Sequence, residues 1–249
     1  MSKRKAIRQH YEPRIRGGRP GFEILDWASV ASQEARFAVL VDHVLAKDPE
    51  ARTLLDVGCG VGDLWAYLRR RRVEVDYTGV DILDKMVKEA RRRHSGGRFV
   101  QADLFGPSKD CRLQIADCRF GNAVSDSPCP SDNLQSTICN LQSENKDVRF
   151  DVVFCSGAFN LNLGNNLQFL PHAIGRMCEL SSRYVVFNLL HRRAASQTHR
   201  YFYADPADVR RLLTSPACDV RIIDDYLPND FTVICRKRDS AAKCQPDPR

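Results

Sequence analysis

The sequence predicts an α/β fold: a mostly parallel sheet, covered by helices on both faces and finished by an antiparallel hairpin. Three observations predict it. From Thr53 onward, short apolar runs alternate with stretches of helical periodicity, the pattern of a parallel sheet buried on both sides. A glycine-rich bend joins the first run to the helix after it, in Leu54-Leu-Asp-Val-Gly-Cys-Gly-Val-Gly-Asp-Leu64. Near the C-terminus two further runs are separated only by Tyr226 to Asp230, whereas a parallel return takes a dozen residues or more.

Residues 1–20 form a basic arm. Lys3, Arg4, Lys5, Arg8, Arg14, Arg16 and Arg19 against Glu12 give it +6, so of the net charge of +7 the rest of the chain carries only +1. Such an arm is expected to be a disordered, solubilising tail, with a nucleic-acid or membrane-surface contact as the alternative. No apolar segment follows its charges, as it would in a secretory signal, and no run approaches the roughly 20 apolar residues that span a bilayer. The expectation is a cytoplasmic protein, away from membranes, whose ten cysteines are reduced. Cys111, Cys118, Cys129 and Cys139 are spaced too widely for the paired knuckles of a structural zinc site, and no metal is expected.

Residues 21–249 are long enough for one domain with a full core. Ile24, Trp27, Val30, Ala31, Ala35, Ala38 and Val41 recur at helical spacing, which predicts a leading helix or helix pair over 21–48, stopped by Asp48-Pro49. Thr53 to Val57, Val75 to Val80 and Arg98 to Ala102 read as strands, with helices over Val61 to Arg72 and Leu83 to Arg93 between them. Gly106 to Arg149 is a gap of 44 residues, rich in Ser, Asn, Asp and Cys, too long for an ordinary connection. It reads as a surface insertion over 106–149, poorly ordered or loosely folded, with a lid over the site as the functional alternative. Phe150 to Cys155 and Arg183 to Leu189 are the next strands, around a helix over Leu167 to Ser181. A helix opens at Asp205-Pro206, Asp219 to Asp224 and Phe231 to Cys235 make the hairpin, and residues 238–249 are left as a tail.

The glycine bend carries the chemistry. Gly58, Gly60 and Gly62 let the backbone turn tightly and approach a ligand. A dinucleotide loop reads G-x-G-x-x-G, but Asp63 occupies the place of its third glycine, so a pyrophosphate ligand is disfavoured. A zwitterionic amino-acid moiety suits the bend better, with N–H groups at the helix start facing its carboxylate and Asp56 accepting from its ammonium.

Asp56-x-Gly58-x-Gly60-x-Gly62 resembles the first motif of the class I S-adenosylmethionine-dependent methyltransferases. The resemblance covers about Leu25 to Lys237. It implies a Rossmann-like, seven-stranded, mostly parallel sheet ending in an antiparallel hairpin, with S-adenosylmethionine as cofactor. It further implies that Asp81 binds both ribose hydroxyls, that Asp103 meets the adenine amino group, and that Phe150 to Ser156 closes the pocket near the sulfonium. Cys59, Ile82, Leu104, Cys155 and Ser156 complete the expected cofactor shell. Asp26-Trp27, Gln33, Arg36, Ser156 to Leu161, Phe187 to Leu190 and Asp225 to Thr232 resemble a bacterial subgroup of these enzymes, a resemblance that implies no particular acceptor. In that subgroup the leading helix would fold over the cofactor, which makes Trp27 and Arg36 candidate pocket residues, against a core Trp and a solvated Arg.

For the acceptor, the expectation is a small molecule methylated on oxygen or nitrogen. His191 follows the fifth strand at its carboxyl end and is the candidate general base, against a surface histidine. Asn160, Asn162 and Asn188 should face the acceptor side. Tyr201, Phe202 and Tyr203 wall an aromatic pocket or pack ordinarily, and Tyr226 is a further candidate acceptor contact. An RNA or protein methyltransferase using the basic arm, and a cofactor-binding protein without catalysis, are the alternatives. The Asp/Asn-Pro-Pro-aromatic run of adenine amino-methyltransferases is absent from Ser156 to Phe159, and Ser127-Pro-Cys-Pro130 lies on the wrong side of the fourth strand for a cytosine C5 enzyme.

Overall fold

The computed structural model describes residues 3–106, 149–213 and 218–238. The expected insertion, with its four cysteines and Ser127-Pro-Cys-Pro130, and the expected tail lie outside the described residues except for Gly106, Arg149 and Arg238 at their edges. Helices α1 (Lys3–Tyr11), α2 (Gly21–Ile24) and α3 (Val30–Leu40) precede the sheet. Next, β1 (Thr53–Val57), α4 (Asp63–Arg70), β2 (Asp76–Asp81), α5 (Asp84–Arg93) and β3 (Arg98–Gln101) alternate, followed by β4 (Phe150–Cys155), α6 (Asn166–Leu180) and β5 (Ser181–His191). Then come β6 (Tyr203–Ala204), α7 (Pro206–Leu212), β7 (Cys218–Ile223) and β8 (Asp230–Lys237).

The strand order is β3-β2-β1-β4-β5-β8-β7. Pairing is parallel from β3 to β5 and antiparallel for β5 with β8 and β8 with β7. The sheet has eight strands rather than seven, because the two residues of β6 pair in parallel with Leu190 and His191 and draw out the end of β5. The order reverses between β1 and β4, the crevice where open α/β sheets bind ligands.

Strand alternation divides the core. Leu54, Val152, Phe154 and Val186 face Phe37, Leu40 and Leu68, while Leu55, Val153, Phe187 and Phe231 face Leu170 and Met177. Both faces are thus covered, which is why the strands read as continuous apolar runs.

Two segments differ from expectation, both near the ligand crevice. The arm read as disordered forms α1 and a short 3-10 turn at Glu12–Arg14. Its Ile7, Tyr11 and Ile15 pack on Ile24, Val61, Leu83 and Met86, so burial of one apolar edge outweighs the repulsion among its cations. The leading helical segment splits: Asp26 takes a left-handed φ of 63°, and Ser29 then caps α3 by accepting from the Ser32 N–H at 3.0 Å.

Candidate active site

The bend after β1 is held by the next strand. The N–H groups of Gly58 and Cys59 donate to Val80 O at 2.8 and 3.0 Å, which pins the bend to the tip of β2. Asp81, the last residue of β2, accepts from Gly60 N at 3.0 Å through one oxygen and from Leu83 N at 2.9 Å through the other. Each oxygen keeps a lone pair for a ligand. Burial pushes the Asp81 carboxyl up to about 6, against the opposing pull of these N–H groups. Gly58 has φ 76°, and a Cβ there would come within 3.0 Å of the Ala158 Cβ, so only glycine lets β1 turn this close to the loop after β4.

A cavity of about 510 Å³ opens at these strand tips. Of the expected cofactor residues, Trp27, Arg36, Gly58, Asp81, Ile82, Asp103, Leu104 and Ser156 line it. Asp56, Cys59, Gly60, Gly62 and Cys155 do not. Asp56 lies beneath the bend, where it accepts from the Tyr77 hydroxyl at 2.7 Å and burial pushes it up to about 7; it supports the bend rather than meeting an ammonium group. Cys59 and Cys155 are core residues whose thiols burial pushes up, Gly60 serves through its N–H to Asp81, and Gly62 starts α4 at φ 86°.

One wall is fixed by a buried ion pair. Arg36, 1% exposed, donates to Asp230 Oδ2 at 2.7 and 3.0 Å, and its guanidinium lies 4.2 Å from the Trp27 ring centroid. Asn188 donates to both Asp230 oxygens and accepts from Gly157 N at 3.2 Å; Tyr226 also donates to Asp230. Arg36 is thus neither solvated nor free, and Asn188 and Tyr226 do not line the cavity, because all three serve this network. Through it α3 is tied to β5 and β8, and Trp27 is set against Gly157, where an added Cβ would lie 2.6 Å from the indole.

Part of the lining comes from α1, which sequence reasoning missed. Lys3, Arg4, Ile7 and Tyr11 line the cavity. Their apolar spacing, Ile7, Tyr11 and Ile15 at every fourth residue, is the signal that reveals a buried face among the cations. Asp26, also on the lining, accepts from the Tyr201 hydroxyl and from Arg14 at 3.1 Å, with His10 Nε2 at 3.1 Å, joining three distant segments. Tyr201 and Tyr203 line the cavity and Phe202 does not. Asn160 lines it with a carboxamide oxygen that has no partner, as does the Ser156 hydroxyl; Asn162 instead bonds Gly164 N and His199 O.

His191 is turned away. Its ring packs edge-on to Phe231 at 5.4 Å, its Nδ1 accepts from Arg193 N at 3.0 Å, and it does not line the cavity. Pairing with β6 keeps it within β5, where the neighbouring Leu190 lines the cavity and strand alternation turns His191 to the other face; burial with the nearby Arg193 holds it below the usual histidine range. His191→Ala is therefore expected to change turnover by less than about threefold, against the 100-fold or greater loss that follows removal of a general base. Steady-state kinetics of the variant check this. Among the described residues no group of His, Cys, Asp or Glu gathers to hold a metal.

The strand order, the antiparallel finish and the glycine bend with an acidic residue at each of the next two strand tips define the class I methyltransferase fold. Residues 54–127, which carry the bend and both acidic positions, match the methyltransferase domain family. The chain is 31% identical over 121 residues to the fatty-acid O-methyltransferase of Mycolicibacterium smegmatis, a match covering 47% of this chain but only 36% of that protein's length. It is 26% identical over 201 residues to a Mycobacterium tuberculosis protein named as a methyltransferase, covering 78% of this chain and 97% of that one. The magnesium protoporphyrin IX methyltransferase of Synechocystis, solved with bound S-adenosylhomocysteine, shares the fold at a TM-score of 0.60 and 15% identity, covering 95% of this chain and 100% of that one. The chain thus carries a methyltransferase-domain match over residues 54–127 and shares its fold with methyltransferases solved with S-adenosylmethionine or S-adenosylhomocysteine bound.

Proposed function

We propose that this protein is a cytoplasmic enzyme that moves the methyl group of S-adenosylmethionine to an oxygen or nitrogen atom of a small-molecule acceptor. The observation that carries the reading is the cavity's composition: carboxylates and the glycine bend at the strand tips, and an aromatic compartment beneath α1. On this reading Asp81 accepts from the ribose hydroxyls and Asp103 from the adenine amino group, with Ile82 and Leu104 beside them. The unpartnered Ser156 and Asn160 oxygens supply acceptors for the ammonium end of the cofactor, in place of Asp56. When bound, the cofactor supplies an electrophilic methyl on a sulfonium. The chain's own part is to align the acceptor and exclude water, for which α1 and the Trp27 wall are placed.

Two relatives are named for small acceptors, a fatty acid and a magnesium porphyrin, which supports the small-molecule reading. Three cations of the basic arm are paired with carboxylates: Arg8 with Glu12, Arg14 with Asp26 and Arg19 with Glu23. That leaves less of it for a nucleic-acid backbone. Among the described residues no helix is long and apolar enough to cross a membrane.

A screen for S-adenosylhomocysteine formation over size-fractionated cell extract tests the reading. Turnover with the low-mass fraction is expected; turnover only with RNA or protein fractions, or none at all, contradicts it. The protonation of Asp81 adds a second check. A buried acid with a raised pKa favours the folded state while protonated and loses that contribution as pH rises through about 6. Hydroxyl groups need the ionised form, so cofactor affinity should fall about tenfold between pH 7.5 and 5. Calorimetry at both pH values reads this, and equal affinities would remove Asp81 from the role.

A further inference from the structure

We propose that the acceptor is a carboxylic acid with an apolar body, that Lys3 and Arg4 hold its carboxylate, and that one of its oxygens takes the methyl group. The proposal rests on the reading above and narrows it.

Among the cavity's described lining residues there is no histidine, cysteine or glutamate. Asp81 and Asp103 stand at the cofactor's strand tips, and Asp26 already accepts from Tyr201 and Arg14. Tyr11 and Tyr201 are held protonated at neutral pH, both by burial first; Tyr201 is pushed up to about 12. An alcohol would find nothing here to take its proton. A carboxylate needs nothing, because it is ionised at neutral pH.

Charge selects among acceptors that need no base. Lys3 Nζ sits 3.5 Å from the centroid of the Phe169 ring and has no acidic partner among the described residues; Arg4, exposed at the rim, has none either. Two unbalanced cations on the acceptor side repel an ammonium group and attract an anion. Next to them the wall is apolar: Phe105 lies 5.8 Å from Phe159 and 5.7 Å from Phe169, centroid to centroid, with Leu161, Leu163 and Ile7 also lining.

The step balances without a proton. A lone pair of the carboxylate oxygen forms the new C–O bond to the methyl carbon, the C–S bond breaks, and its electron pair stays on sulfur. A neutral methyl ester and S-adenosylhomocysteine result, and no proton is released.

The test uses the full chain saturated with S-adenosylhomocysteine, titrated with dodecanoic and cinnamic acids and with the matching alcohols and amides. At least one acid is expected to bind about tenfold or more tightly than its alcohol and amide. Lys3→Ala/Arg4→Ala should lose about tenfold in acid affinity while keeping the parent's affinity for S-adenosylhomocysteine, and Lys3→Arg should retain most of the acid binding. With S-adenosylmethionine the bound acid should give its methyl ester by mass spectrometry, with no acidification of weakly buffered medium. Acids that bind no better than alcohols, or a double variant that binds acids like the parent, would overturn the proposal and leave the cofactor reading standing. Failure of the parent to bind S-adenosylhomocysteine would overturn both.

Discussion

Asp81→Ala is expected to weaken binding of S-adenosylmethionine about 100-fold or more. A hydrogen bond to a charged group contributes about 1.5–3 kcal/mol, and on the proposed reading two ribose hydroxyls donate to this carboxylate. The loss has a second source. Asp81 also fastens the bend through Gly60 N and the start of α5 through Leu83 N, so its removal loosens the site as well as stripping it. Asp81→Asn separates the two effects: it keeps one acceptor oxygen and should lose about tenfold. Calorimetry on folded variants, checked by thermal melting, reads both values. Parental affinity in Asp81→Ala would show that the ribose lies elsewhere.

Asp230→Ala is expected to give the largest loss of stability. It leaves the Arg36 guanidinium, 1% exposed, without its anion, and deprives Asn188 and Tyr226 of a shared acceptor. Breaking one side of a buried pair costs about 3–5 kcal/mol, which in a domain of this size lowers the melting temperature by roughly 10 °C. Replacing both charges, as Arg36→Met/Asp230→Leu, should recover more than half of that loss, because no unpaired charge then remains. Calorimetric melting of the two singles and the double completes the cycle. Because Asn188 accepts from Gly157 N, the single variant should also weaken cofactor binding.

The parallel core was legible because burial on both faces leaves a plain mark: Thr53–Val57 and Phe150–Cys155 appear at the boundaries their apolar runs predict. The bend and the carboxylates of Asp81 and Asp103 were legible because spacing alone places them at strand tips. What was lost depends on contacts between distant segments. Seven cations concealed the Ile7, Tyr11 and Ile15 edge that seats α1. Nothing local to Asp26 tells that Tyr201 will reach it, or that Arg36 will find Asp230 at a separation of 194 residues. His191 was expected just beyond the fifth strand, yet pairing with two residues of β6 makes it the last residue of β5, and a strand as short as β6 has no periodicity to read.

Titrating the full chain with S-adenosylmethionine in a calorimeter asks the central question directly, whether the glycine bend and its flanking carboxylates hold a sulfonium nucleoside. One-to-one binding that S-adenosylhomocysteine displaces is the predicted result. Absence of binding by folded protein, or binding that S-adenosylhomocysteine leaves untouched, would contradict it.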